Sequence, residues 1–162
     1  MLVAVVADTH MPRGARRLPP LCVETIAGSD VAIHLGDFTS AATLAEFEAI
    51  GPPIHAVHGN ADSPDVRRLL PAERVLDLAG RRVAIIHDAG PARGRLARLR
   101  RRFPSADAVL FGHSHLPLHE EDGRFQIFNP GSPTERRRAP NRSMGLMRAS
   151  REGLHFEHIS LG

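Results

Sequence analysis

The sequence has no lysine, no tryptophan and no tyrosine, and a single cysteine, Cys22, in 162 residues. One cysteine rules out an intrachain disulfide and suits a reducing compartment, so the expected location is cytoplasmic. With lysine absent, all 21 basic residues are arginine, and they exceed the 18 acidic ones by a formal charge of +3. That surplus suits anionic ligands but falls short of the cationic density that wraps nucleic acid, which is therefore not the favoured partner. No apolar run is long enough to span a membrane. The opening stretch from Met1 to Ala7 is apolar, but it has no basic region ahead of it and soon meets Asp8. It reads as a first strand, not as a signal peptide. Internal repeats, low-complexity segments and dividing linkers are also missing, which predicts one domain over 1–162 with a substantial core.

In the first half of the chain, continuous apolar runs alternate with helical patterns. Leu2 to Ala7, Val31 to Leu35 and Ile54 to Val57 read as strands covered on both faces. A helix is expected near Pro20, carrying Leu21, Val23 and Ile26. A second spans Ser40 to Ile50, where Leu44, Phe47 and Ile50 recur at helical spacing before Gly51-Pro52-Pro53 stops it. Ser63-Pro64 reads as the N-cap and first residue of a helix through Leu70. The second half is richer in hairpins. Val75 to Leu78 and Arg82 to Ile86 flank Ala79-Gly80-Arg81, and Leu116 to Glu120 and Arg124 to Phe128 flank Glu121-Asp122-Gly123. A helix over Gly94 to Phe103 would bury Leu96, Leu99 and Phe103 and leave its arginines as a solvated face. A strand from Ala108 to Phe111 follows, and Ser143 to Ala149 pairs with Leu154 to Ile159. This order predicts an α/β fold of mixed sheets with helices outside.

Five of the predicted strands end in residues that bind metals. Asp8 and His10 follow the first, Asp37 the second and Asn60 the third; His87 ends another, and His113 with His115 close the strand that runs to Phe111. In open α/β sheets, ligands collect outside the carboxyl ends of strands. Seven oxygen and nitrogen donors in five such places exceed what one small divalent ion needs and suit two. Gly36, Gly59 and Gly112 would let the backbone turn sharply beside the donors.

Asp8-x-His10, Gly36-Asp37, Gly59-Asn60-x-Asp62, His87 and Gly112-His113-x-His115, in that order, resemble the motifs of the calcineurin-like metallophosphoesterases. The short length, and Asn129-Pro130-Gly131-Ser132 followed by the arginine-rich Pro133 to Arg142 segment, resemble the small bacterial and archaeal phosphodiesterase branch. The resemblance implies two packed mixed β-sheets flanked by helices, and a phosphodiesterase acting on a small-molecule phosphate ester. It also implies ligands: Asp8, His10, Asp37 and His115 for one metal, and Asp37, Asn60, His87 and His113 for the other, with Asp37 bridging. Asp37, Asn60 and His113 are taken as catalytic. Four imidazoles against two carboxylates point to two divalent transition-metal ions, Mn first, with Fe, Zn, Ni or Co as the other candidates. Relatives suggest a homodimer. Two other readings compete: a phosphomonoesterase or nucleotide pyrophosphohydrolase of the same superfamily, and a non-catalytic scaffold resembling the retromer subunit.

Two departures from the pattern bear on mechanism. Many members carry a histidine straight after the asparagine as general acid; here that residue is Ala61, and His58 is the candidate substitute. Asp88 follows His87 where relatives usually have glycine, adding bulk and charge beside the second metal. Asp62, with no histidine to orient, is expected to support the site from behind. His34, His55, His119, His155 and His158 read as ordinary core or surface residues, and Cys22 as a small buried side chain. Arg136, Arg137, Arg138 and Arg142 fit equally a place near the site or at a subunit contact.

Overall fold

The computed structural model describes residues 1–162. Ten strands run in chain order as β1 (Leu2–Val6), β2 (Val31–His34), β3 (Ile54–Ala56), β4 (Glu73–Leu78), β5 (Arg81–Ile86), β6 (Ala108–Leu110), β7 (Leu118–Asp122), β8 (Phe125–Asn129), β9 (Ser143–Ala149) and β10 (Leu154–Ser160). Four helices lie among them: α1 (Pro20–Ala27), α2 (Ala41–Glu48), α3 (Pro64–Leu69) and α4 (Arg95–Arg102). Ser40 caps α2 by accepting from Thr43 N at 3.2 Å, and α1 and α3 each carry proline in the first turn, where a missing N–H costs nothing. No helix is long and apolar enough to cross a membrane.

The strands form two mixed five-stranded sheets, ordered β10-β9-β1-β2-β3 and β4-β5-β6-β8-β7. Within the first, β1, β2 and β3 are parallel and β9 and β10 antiparallel; within the second, β5, β6 and β8 are parallel and β4 and β7 form antiparallel edges. The expected sandwich of two sheets flanked by helices is what the chain forms. Side chains alternate across each strand, which explains runs that are apolar at every position. Val3, Val5, Ile33, Val83, Ile85, Leu110 and Phe128 meet between the sheets. Ala4, Val6, Ile26, Phe38, Leu44 and Phe47 pack on the outer face of the first sheet under α1 and α2. Ile86, Leu99, Phe103, Val109 and Ile127 do the same for the second sheet under α4.

Several boundaries shift by a residue or two from expectation, β4 for example starting at Glu73 and α2 ending at Glu48. The strand expected from Leu116 begins at Leu118, because Pro117 has no N–H for a ladder. Its hairpin turns at Gly123-Arg124, with Asp122 paired to Phe125, one residue later than the predicted turn. The other hairpin turns at Ala79-Gly80, both with positive φ (54° and 81°), the backbone a two-residue loop requires. Because β1, β2, β3, β5, β6 and β8 are the parallel strands, their carboxyl ends leave the two sheets at the same edge of the sandwich. That edge carries the chemistry.

Candidate metal centre

The connections after β1, β2, β3, β5 and β6 bring all seven predicted donors into one cluster. Asp8, His10 and His115 offer ligand atoms within 4.8 Å of one another, and so do Asp8, Asp37 and His87. His115 Nε2 stands 3.6 Å from Asp8 Oδ1, and the His10 and His115 rings stack at 5.2 Å. On the other side, Asn60 Oδ1 lies 2.9 Å from His87 Nε2 and 3.0 Å from His113 Nδ1, and those two nitrogens are 3.3 Å apart. Asp37 Oδ2 sits between the halves, 3.5 Å from His10 Nε2 and 3.4 Å from His87 Nε2. Asp8 also reaches both groupings, a sharing that sequence reasoning gave to Asp37 alone.

Five of the seven donors occupy the left-handed backbone region: Asp8 (φ 56°), His10 (44°), Asp37 (63°), His113 (69°) and His115 (60°). Such conformations cost side-chain-bearing residues about 1–3 kcal/mol each and persist only where the surroundings over-determine them. Here backbone bonds lock the turns together, Asp8 N to Gly36 O at 3.0 Å and His10 N to Asp37 O at 2.9 Å. The glycines divide by reason. Gly36 has φ 94° and turns the chain, as expected. Gly59 is needed instead for space: a Cβ there would stand 2.1 Å from Asp37 Oδ1. At Gly112 it would stand 2.8 Å from the Ala7 Cβ and 3.0 Å from Asp8 Oδ2.

The donors are buried and poorly satisfied by the protein itself. Both Asp8 carboxylate oxygens, both His10 ring nitrogens and His115 Nε2 are buried without a hydrogen-bond partner. Leaving such groups unpaired costs kilocalories, and a divalent cation would satisfy the Asp8 oxygens, His115 Nε2 and one His10 ring nitrogen. Burial, and then the negative charge of Asp37, push the Asp8 carboxyl well above its ordinary range. Burial, and then the Arg137 guanidinium, push His115 down to about 4, and burial also lowers His10 and His87. A neutral imidazole is the form with a lone pair to give. Carboxylates crowded together among neutral imidazoles are a donor set that fits metal.

A second layer aims these groups. His87 Nδ1 donates to Leu35 O at 2.8 Å and His115 Nδ1 to Glu135 O at 3.2 Å, so each turns Nε2 towards the centre. His113 is reversed, with Nδ1 inward and Nε2 3.9 Å from Asp88 Oδ2. Asp62 accepts three backbone N–H groups, from Asp37 (2.9 Å), Gly59 (2.7 Å) and Thr39 (2.8 Å), and so ties two donor-bearing turns together. Ala61 keeps only a backbone role, donating to Asp37 Oδ1 at 2.8 Å. Sequence reasoning passed over His34 as unremarkable. It is no ligand, yet its Nδ1 accepts from Gly36 N at 3.2 Å, its Nε2 meets Thr9 Oγ1 at 3.0 Å, and its ring stacks on Phe38. The end of β8 is a sixth contributor: Asn129 Nδ2 donates to Gly112 O at 2.9 Å and Ser132 Oγ to Asp8 O at 2.9 Å. Neither Glu135 nor the His34 relay carried a local sequence signal.

A cleft of about 330 Å³ opens beside Asn60, His87 and His113, with His58, Arg67 and Asp88 among its walls. His113 is the most open of the four clustered histidines, its side chain 46% exposed.

The profile of the calcineurin-like phosphoesterase superfamily domain matches residues 1–152. A probable metallophosphoesterase of Methanothermobacter thermautotrophicus is 32% identical over 164 residues, an alignment spanning 100% of this chain and 94% of that protein. Among solved structures, Vps29 of Entamoeba histolytica complexed with zinc superposes with a TM-score of 0.78 at 20% identity, covering 100% of both chains. An archaeal phosphodiesterase superposes at 0.75 and 20% identity, covering 98% of this chain and 100% of the other.

Proposed function

Because this chain belongs to the calcineurin-like phosphoesterase superfamily, we propose that it is a phosphodiesterase that works with two divalent transition-metal ions. The observation that carries the reading is the buried, unpaired set of Asp8, His10 and His115 atoms at the meeting point of five strand ends. Asp8, His10, Asp37 and His115 would hold one ion, and Asp37, Asn60, His87 and His113 the other. When bound, the ions supply Lewis-acid stabilisation of the phosphoryl oxygens and lower the pKa of an attacking water. The four imidazoles favour a transition metal over Mg; Mn is the ion proposed, with Fe, Zn, Ni or Co as alternatives.

The protein's own residues explain the preference for diesters. His113 stands at the mouth of the cleft, where it would meet a phosphoryl group as well as the centre. Ala61 offers no proton to a departing alkoxide. Loss of a general acid costs roughly 10²–10⁴-fold, and most for leaving groups of high pKa. Diesters with better leaving groups suffer less. His58, on the wall of the same cleft, is the candidate to donate instead.

The test is elemental analysis of the purified protein together with kcat/KM on bis(4-nitrophenyl) phosphate and 4-nitrophenyl phosphate with Mn present. Near two ions per chain and a preference for the diester are expected. A clear preference for the monoester would move the activity to phosphomonoesters. A metal-loaded protein that turns over neither ester, nor any of a broad phosphate-ester panel, would favour a non-catalytic scaffold.

A further inference from the structure

The arginine-rich segment after Ser132 divides when its contacts are followed. Arg136 folds back to Pro140 O at 3.2 Å within the loop, and Arg142 is taken up by Gly162 O at the end of the chain at 2.9 Å. Arg137 faces the metal centre. Its Nε lies 3.7 Å from Glu135 Oε2, and that same oxygen is 3.6 Å from His115 Nδ1. On the opposite oxygen of Glu135, Arg16 Nη2 approaches to 3.3 Å. One carboxylate therefore holds two guanidinium groups beside the His10–His115 half of the centre and neutralises one of them. The Arg137 charge is felt at Asp8, His10 and His115 alike.

Two further features set Arg137 apart. Its backbone has φ 48°, a conformation sterically disfavoured for a long side chain and shared with five of the seven donors. Its contact with Glu135 uses Nε, which leaves the Nη1 and Nη2 fork unengaged, with the side chain 49% exposed. A guanidinium held at one edge with its fork free matches two oxygens of a phosphate in a bidentate pair. The far side of the centre is different. There Asp88 stands beside His113, and Glu73 takes up Arg102. Arg67 on that side is tied down by the Asp62 and Asn60 carbonyls, whereas the Arg137 fork is free.

We propose that Arg137, supported by Arg16 and Glu135, forms a subsite for a second anionic group, so that the preferred substrates are phosphodiesters carrying an additional phosphate near the scissile one. This rests on the phosphoesterase reading above and narrows it to a substrate class.

Two measurements separate the proposal from that reading. The first compares kcat/KM, with Mn present, for thymidine 5′-(4-nitrophenyl phosphate) with and without a 3′-phosphate. In the native protein the 3′-phosphorylated form should be favoured, and Arg137→Gln should lower that preference about tenfold through KM. Arg138→Gln, at a neighbour with no Glu135 contact, should leave it unchanged. The second needs no turnover: calorimetry should find inorganic pyrophosphate binding more tightly than inorganic phosphate, an advantage that Arg137→Gln removes. If Arg137→Gln leaves both preferences intact, or weakens phosphate and pyrophosphate equally, the subsite is refuted. If neither nitrophenyl ester is hydrolysed by the native protein, the phosphoesterase reading fails while calorimetry still decides the subsite.

Discussion

Asp62 offers the sharpest perturbation, because one carboxylate organises two of the turns that carry donors. Its Oδ2 accepts from Asp37 N (2.9 Å) and Gly59 N (2.7 Å), its Oδ1 from Thr39 N (2.8 Å), and it is only 5% exposed. Asp37 and Thr39 have φ of 63° and 93°, so these bonds hold a strained connection between β2 and α2. Asp62→Ala strands three N–H groups, two of them buried and that of Thr39 half-buried, a gross penalty on the order of 3–8 kcal/mol at up to about 3 kcal/mol each. Water entering the space left by the carboxylate returns part of that, and the net loss expected is about 3–5 kcal/mol. Against a typical total stability of about 5–15 kcal/mol this is a large share. Urea unfolding of the metal-stripped protein, followed by circular dichroism, measures it. Asp62→Asn should fall between native and Asp62→Ala, since its amide oxygen keeps some of the donors while its NH₂ confronts the rest. An Asp62→Ala protein within about 1 kcal/mol of native, with an unchanged m value, would refute the reasoning.

Other expectations follow from the same geometry. Asp37→Asn removes the charge nearest both halves and should lower metal content in each, with kcat/KM falling about a hundredfold or more; near-normal ion content and activity would contradict a bridging role. His58→Gln should lower kcat about 10²-fold for esters with poor leaving groups and alter the pH–rate profile, and an unchanged kcat and profile would remove His58 as proton donor. In metal-stripped protein, burial holds His10, His34, His55, His87, His115 and His158 below their ordinary 6.5. The unfolded chain takes these protons near 6.5 and the folded chain only at lower pH, about 4 for His115, so each contributes stability that is lost as pH falls below 6.5. Asp8, raised, works in the opposite sense, its contribution growing as pH falls. Six groups against one should lower the urea midpoint from pH 7 to pH 5, and a flat or rising midpoint would be inconsistent with buried neutral histidines.

The sequence by itself placed the donors. Every one of the seven stands at or just past an apolar run, and strand positions followed from those runs because a strand buried on both faces has to be apolar at successive positions. It also marked Ala61 and Asp88 as departures, which required only their neighbours. It was silent on what holds the donors in place. Asp62 meets Asp37 from 25 residues away, and Ser132 reaches Asp8 O across 124. His34 looks like any other strand histidine until Thr9 and Phe38 close around it. The Arg137 to Glu135 to His115 chain depends on a positive φ in a segment with no periodic pattern. Local pattern reports which face a side chain takes, because that depends on the residue's own strand or helix. Which distant carbonyl, carboxylate or guanidinium then meets it depends on the order of the strands and on how two sheets stack, and only tertiary structure decided that.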